Sequence, residues 1–196
     1  MKLIIIGNGI VSEALGHEID KFDTVIRLGG YKIKGYESCV GSKTDIHSVA
    51  KIEHTEPGTK IWLANPNGLA ELPQPAVTEA YPNGFIKNDT YMEMTEFVGG
   101  NPTLGTLTIL MALKYGKYFY DSPITVSGFD FTKNGWPRYY WDMTPEIMEN
   151  VRHYGKNERH ILKSLISEGL VKFLNPVDIQ NLEEDGNANI HPFLRK

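Results

Sequence analysis

Four separated blocks carry residue types suited to chemistry on a phosphate-bearing substrate. Gly7-Asn8-Gly9 follows an apolar run and Asn101-Pro102-Thr103-Leu104-Gly105 precedes another. Tyr139-Tyr140-Trp141-Asp142 groups aromatic rings with an acid, and Glu158 follows His153 by five residues. A glycine turn lets the backbone approach a nucleotide, and an asparagine within it offers a donor and an acceptor without charge. Backbone amides at a helix start, as around Gly105, favour anions. Tyrosine hydroxyls donate to phosphate oxygens, and histidine, with a pKa of about 6.5, is the usual general base. Each block also has an ordinary reading: a tight turn, a helix cap at Asn101, packed rings, and a histidine ahead of an amphipathic helix.

Two neighbouring features argue against a dinucleotide fingerprint. Ser12 stands where its third glycine belongs, and the second apolar run ends in Arg27-Leu28-Gly29, with no acid to hold a ribose. No Asp-x-Asp pair is present, and the histidines at 17, 47, 54, 160 and 191 show no ligand spacing supported by cysteine or paired carboxylates. No metal and no other cofactor is expected.

The elements that must position these blocks alternate between strand and helix. Short apolar strands are expected at Lys2 to Ile6, Asp23 to Leu28, Asp45 to Val49, Lys60 to Ala64, Ile124 to Gly128 and Val171 to Leu174. Helices are expected from Ser12 to about Ile19 and near Tyr91 to Phe97, Gly105 to Tyr115 and Asn157 to Glu168. This alternation predicts an α/β fold, a single Rossmann-like domain over residues 1–196, with a mostly parallel twisted sheet and helices on both faces. Ligands bind such sheets at the carboxyl ends of the strands, where Gly7-Asn8-Gly9, Gly128 and Asp130 would lie. Pro66 to Gly84, Thr132 to Pro145 and a polar tail from Asn181 read as loops.

A chain of 196 residues with one cysteine, Cys39, forms no internal disulfide, and a reducing cytoplasm suits it. The net charge of −4 gives no sign of nucleic-acid binding. No run approaches the roughly 20 apolar residues of a membrane-spanning helix, though peripheral membrane association stays open.

Between the first two blocks the sequence reads Gly16-His17-Glu18-Ile19-Asp20, Phe22-Asp23-Thr24-Val25-Ile26-Arg27, Gly35-Tyr36-Glu37 and Val40-Gly41-Ser42-Lys43-Thr44. With Ile5 to Gly9 ahead of it, this resembles the large sialylmotif of glycosyltransferase family 29, the eukaryotic-type sialyltransferases, in order and spacing. Pro102 to Gly105 with Ile124 to Phe129 is similar to the small motif, Tyr139 to Asp142 to the third, and His153 with Glu158 to the very small one. The likeness covers most of the chain from Lys2 to Glu158. Three departures stand out. The family's two motif cysteines, which pair as a disulfide, are replaced near Leu3 and Gly116. The donor-contacting asparagine after the arginine is replaced within Leu28-Gly29-Gly30, and the third motif begins with Tyr139 instead of histidine. Bacterial sialyltransferases of family 42 use tyrosines against the leaving phosphate, which makes the last change chemically tolerable.

The resemblance implies a GT-A-like variant fold and a metal-independent, inverting transfer of sialic acid or the related acid Kdo. The donor would be a CMP ester and the acceptor a glycan or glycolipid hydroxyl. His153 would be the base, Tyr139 and Tyr140 would face the phosphate, and Glu158 would orient the imidazole or favour its helix N-terminus. Gly7, Asn8, Gly9, Arg27, Asn101, Thr103, Leu104, Gly105, Gly128 and Phe129 would bind the donor, with acceptor contacts from the loops at Pro66 to Gly84 and Thr132 to Pro145. The alternative is a nucleotide-binding module, or an NAD(P)-dependent oxidoreductase, that keeps these residues for folding alone.

Overall fold

The computed structural model describes residues 1–9, 11, 14–50, 59–63, 88–116, 120–121, 123–129, 137–145 and 155–174. Six strands form one parallel sheet: β1 (Leu3–Ile6), β2 (Thr24–Leu28), β3 (Ile46–Val49), β4 (Lys60–Leu63), β5 (Ile124–Ser127) and β8 (Val171–Phe173), in the order β4-β3-β2-β1-β5-β8. β6 (Pro137–Tyr139) and β7 (Asp142–Pro145) pair separately as an antiparallel hairpin. The helices are α1 (Gly16–Ile19), α2 (Glu37–Val40), α3 (Asn88–Val98), α4 (Leu104–Gly116) and α5 (Gly155–Ser167).

The central strands are short, apolar and buried on both faces, as parallel strands covered by helices must be. Successive side chains point to opposite faces, so β1 divides its residues between two cores. Leu3 and Ile5 pack with Ile26, Leu28, Ile124 and Val126 of the sheet and with buried side chains of α3, α4 and α5, among them Met94, Leu110 and Leu165. Ile4 and Ile6 face the other way, onto Val25 and Ile19 of α1 with Leu15 and Phe22. Helices therefore cover both faces, as expected. Helix α4 is apolar over most of its circumference because it lies in the middle of the larger layer. A buried hydroxyl contact joins its Thr108 Oγ1 to Ser48 Oγ of β3 at 2.7 Å.

Several boundaries differ from expectation. The first helix is described only from Gly16 to Ile19, capped at Leu15 by no side chain, while Ser12 lies outside the described residues. α2 occupies a segment to which no element was assigned, the β6-β7 hairpin lies in the stretch Thr132 to Pro145 read as loop, and α5 begins at Gly155. Pro66 to Gly84 and the tail from Asn181 lie outside the described residues. Among the described residues, no helix is long and apolar enough to cross a membrane.

Candidate active site at the sheet switch point

The chain leaves β1 toward β2 on one side and reaches β5 on the other, so the sheet's topological switch lies between β1 and β5. Loops leaving these two strands diverge, and the crevice outside their carboxyl ends is the natural ligand site. The glycine turns flanking it touch backbone to backbone. Gly7 N donates to Ser127 O and Gly9 N donates to Gly128 O, each at 2.8 Å. A Cβ on Gly7 would sit 2.3 Å from Gly128 O, and Gly128 holds φ +71°, where side chains are rarely accepted. The amides of Gly7 and Gly9 are thus spent on the end of β5 and the residue after it, and the absence of side chains lets the two turns meet.

What the turn presents is Asn8. Its Nδ2 donates to Leu28 O at 2.8 Å, and its backbone O accepts from Tyr140 N at 2.9 Å. Because Leu28 O is an acceptor only, the amide orientation is fixed, and Oδ1 remains buried without a hydrogen-bond partner. Ser127 Oγ, at the end of β5, is likewise buried and without a partner. Orphaned buried polar atoms are rare, and two at the ends of adjacent strands make this the candidate place for a polar ligand. The surrounding residues come from separate elements. A Cβ on Gly29 would lie 3.7 Å from Asn8 Nδ2 and 3.6 Å from Leu104 Cδ2. The Phe129 ring wedges between the two glycine blocks, its Cδ2 3.2 Å from a Cβ built on Gly7 and its Cε1 2.7 Å from one built on Gly105. Gly7, Asn8, Leu104, Gly105, Gly128 and Phe129 therefore converge.

The N-terminus of α4 is capped by Thr103, whose Oγ1 accepts from Thr106 N at 3.3 Å. Asn101 is exposed and does not take that role. Thr103 N donates in turn to the carboxylate of Glu158, which is buried in the first turn of α5. Glu158 faces a small cavity walled by Ile109, Leu110, Phe129, Ile161, Leu162 and Leu165. It thus ties the start of α5 to the start of α4, and its carboxylate complements the positive end of the latter. His153, two residues before α5, lies outside the described residues, and so does Asp130.

Two expected donor contacts have other tasks. Arg27 is wholly buried: Nε donates to Lys43 O at 3.0 Å and Thr44 Oγ1 at 2.9 Å, and an Nη donates to Val40 O at 2.8 Å. It holds the Val40-to-Thr44 segment against the sheet through these bonds. The same segment, Gly-Ser-Lys-Thr, also gives up its amides internally. Ser42 N and Lys43 N each donate to Asp20 Oδ1 at 2.9 Å, and the Ser42 hydroxyl donates to Oδ2 at 2.8 Å. Burial alone would raise the Asp20 carboxyl; the bonds from Lys43 and Ser42 and the charge of Arg27 outweigh it and hold the group below its ordinary value.

Tyr140 is likewise engaged within the fold. Its hydroxyl donates to Lys32 O and accepts from Lys32 N at 3.0 Å, and its ring packs edge-on against Tyr36 and Trp141 at 5.3 and 4.6 Å. Burial pushes the phenol above its ordinary pKa, only partly offset by the bond to the Lys32 backbone and the charge of Arg27. With its one proton committed, Tyr140 is a strut between Asn8 and the loop after β2, not a free donor to phosphate. Tyr139 ends β6 opposite Asp142, and its side chain lies outside the described residues. Sequence reasoning missed Ser127 and the Asp20 clamp.

Fold and site define an open α/β protein with its ligand crevice at the switch point of a parallel sheet. Residues 2–57 match the family described as glycosyltransferase family 29 (sialyltransferase). The mouse CMP-N-acetylneuraminate-beta-1,4-galactoside alpha-2,3-sialyltransferase is 25% identical, over 89% of this chain and 57% of its own length. The rat CMP-N-acetylneuraminate-beta-galactosamide-alpha-2,3-sialyltransferase 4 is 26% identical, over 88% of this chain and 64% of its own. The chain thus spans about three fifths of the length of these curated relatives. Among solved structures, a mammalian sialyltransferase in complex with Gal-beta-1-3GalNAc-ortho-nitrophenol superposes with a TM-score of 0.63 at 18% identity, over 88% of this chain and 68% of that one. A variant of the sialyltransferase CST-II in complex with CMP gives 0.55 at 16% identity, over 95% and 89%. The chain is thus similar to glycosyltransferase family 29 over residues 2–57, and it shares the fold of these solved sialyltransferases.

Proposed function

We propose that the chain transfers sialic acid, or a related ulosonic acid such as Kdo, from a CMP-activated donor to a glycan hydroxyl. The observation that carries the reading is Asn8 Oδ1, an unsatisfied buried acceptor at the switch point, within the segment that matches family 29. An N–H or O–H of a cytidine moiety is a suitable partner for it. In the reaction the bond from the anomeric carbon to phosphate breaks, leaving its electron pair on the phosphate. The acceptor oxygen takes the carbon from the opposite face, with inversion, and its proton goes to His153. Step and donor require no metal, since one phosphate develops less charge than a diphosphate. The names of the relatives favour a β-galactoside acceptor. A single cysteine, Cys39, is compatible with action in the cytoplasm.

The test pairs binding with turnover. Thermal stabilisation by CMP together with CMP release from CMP-sialic acid or CMP-Kdo in the presence of a galactoside is expected. His153→Ala should abolish transfer while leaving CMP binding nearly intact. Stabilisation by NADP and by no cytidine nucleotide would sink the transferase reading in favour of an oxidoreductase.

A further inference from the structure

We propose that Lys32 binds the phosphate of the cytidine donor and supplies the positive charge that the departing phosphate meets. The inference rests on the cytidine-donor reading above. Transfer leaves an electron pair on the phosphate oxygen, and the charge must be compensated within the site. Asn8 and Ser127 are uncharged, Arg27 is buried beneath the loop with its guanidinium on backbone carbonyls, and the Tyr140 proton is committed to Lys32 O.

Lys32 answers that need by position. The loop after β2 starts beside Asn8 and is fixed at its root by Gly29 N donating to Ser48 O at 2.9 Å and by His47 Nε2 at 2.5 Å from Gly29 O. Tyr31 packs edge-on against the His47 ring at 4.8 Å, with the Arg27 guanidinium 5.7 Å from its centroid. Tyr140 then joins the Asn8 backbone to both backbone polar groups of Lys32, which braces the lysine's backbone against the turn that carries Asn8. Fixed backbone and flexible stem together make a lysine an adaptable point charge for phosphate.

The ammonium itself is available. Lys32 is exposed, its Nζ 5.8 Å from the Tyr36 ring centroid, and no carboxylate pairs with it among the described residues. Lys34, on the same loop, lies close enough to Glu37 to help lower that carboxyl, behind the backbone bonds that Glu37 accepts. In a chain of net charge −4, an uncompensated cation beside the crevice is a local attraction for an anion.

The experiment is calorimetric titration of the parent chain, Lys32→Gln, Lys32→Arg and Lys34→Gln with CMP and with cytidine, at low and high salt. Lys32→Gln should weaken CMP roughly ten-fold and leave cytidine unchanged, since a charged hydrogen bond of this kind is worth about one decade. Lys32→Arg should keep most of the affinity, and the salt dependence of CMP binding should shrink in Lys32→Gln. Unchanged CMP affinity in Lys32→Gln, an equal loss for CMP and cytidine, or an equal loss in Lys34→Gln would overturn the assignment. A parent chain that binds neither compound would fell the cytidine reading and this proposal together. A parent that binds CMP beside an unimpaired Lys32→Gln fells only the proposal.

Discussion

Replacing Glu158 with alanine should loosen the join between α4 and α5. The carboxylate is 4% exposed and accepts from Thr103 N, the amide at the cap of α4. Losing a hydrogen bond to a charged group costs about 1.5–3 kcal/mol, and losing an anion at a partly buried helix N-terminus costs up to about 2 kcal/mol more. Relief of the buried charge offsets several kcal/mol of this sum, while the truncated side chain enlarges a cavity already walled by Leu110, Phe129 and Leu162. The net expectation is a loss of about 2 kcal/mol, or a fall in Tm of about 4–8 °C for a chain of this size. Glu158→Gln keeps an oxygen for Thr103 N and should lose about half as much. Urea unfolding followed by circular dichroism measures both, and CMP titration should show weaker binding in the alanine variant because the Thr103-to-Gly105 turn is less well held. An alanine variant as stable as the parent would refute the reasoning, since it would mean that the carboxylate contributes nothing across this join.

Gly7→Ala brings a Cβ to 2.3 Å from Gly128 O, a backbone atom that cannot swing aside. It should cost at least about 3 kcal/mol and impair CMP binding, and an unchanged urea midpoint would argue that the two turns do not meet as described. Asp20 sets a pH dependence. Its folded pKa is depressed, so its stabilisation is fully present above the unfolded value of about 3.9 and is lost as pH falls through the folded value. Asp20→Asn should cost about 1–3 kcal/mol at neutral pH by leaving the Ser42 and Lys43 amides poorly matched, and it should flatten the acid limb of the stability profile. Thermal melts between pH 3 and 7 check this, and an acid limb identical to that of the parent would remove Asp20 as its source.

The sheet was legible because parallel strands buried on both faces read as continuous apolar runs. Leu3–Ile6 and Ile124–Ser127 needed no tertiary context to be seen. The β6-β7 hairpin was not legible, because Pro137 and Pro145 pair with each other at its open end, and prolines in a short segment read as loop. The internal partners of Arg27 were not legible for a related reason. A charged residue ending a strand at the ligand edge looks like a binding group, yet its acceptors lie 13 to 17 residues away and become its partners only when the chain folds back. Tyr140 and Lys32 are 108 residues apart, so no spacing could reveal that the hydroxyl was already committed. Thr103 was seen as a ligand group and is also the cap of α4. That was hidden because both Asn101 and Thr103 are good capping residues.

The glycines of the motif blocks and the polar atoms near them answer to different constraints. Gly7 and Gly128 are fixed by the mutual contact of their turns, and Gly105 by the Phe129 ring, so these positions would be required even in a chain that bound nothing. In the proposed function, ligand recognition falls on atoms that folding leaves unsatisfied, Asn8 Oδ1 and Ser127 Oγ foremost. Gly29 follows the same logic in reverse. Its φ of +53° is one that asparagine tolerates, and a Cβ there meets only ordinary contacts. The backbone geometry for an asparagine after Arg27 is therefore intact, and what this chain lacks at that point is a side chain. On the proposed reading, Lys32, three residues further along the same braced loop, brings a full charge to the donor phosphate.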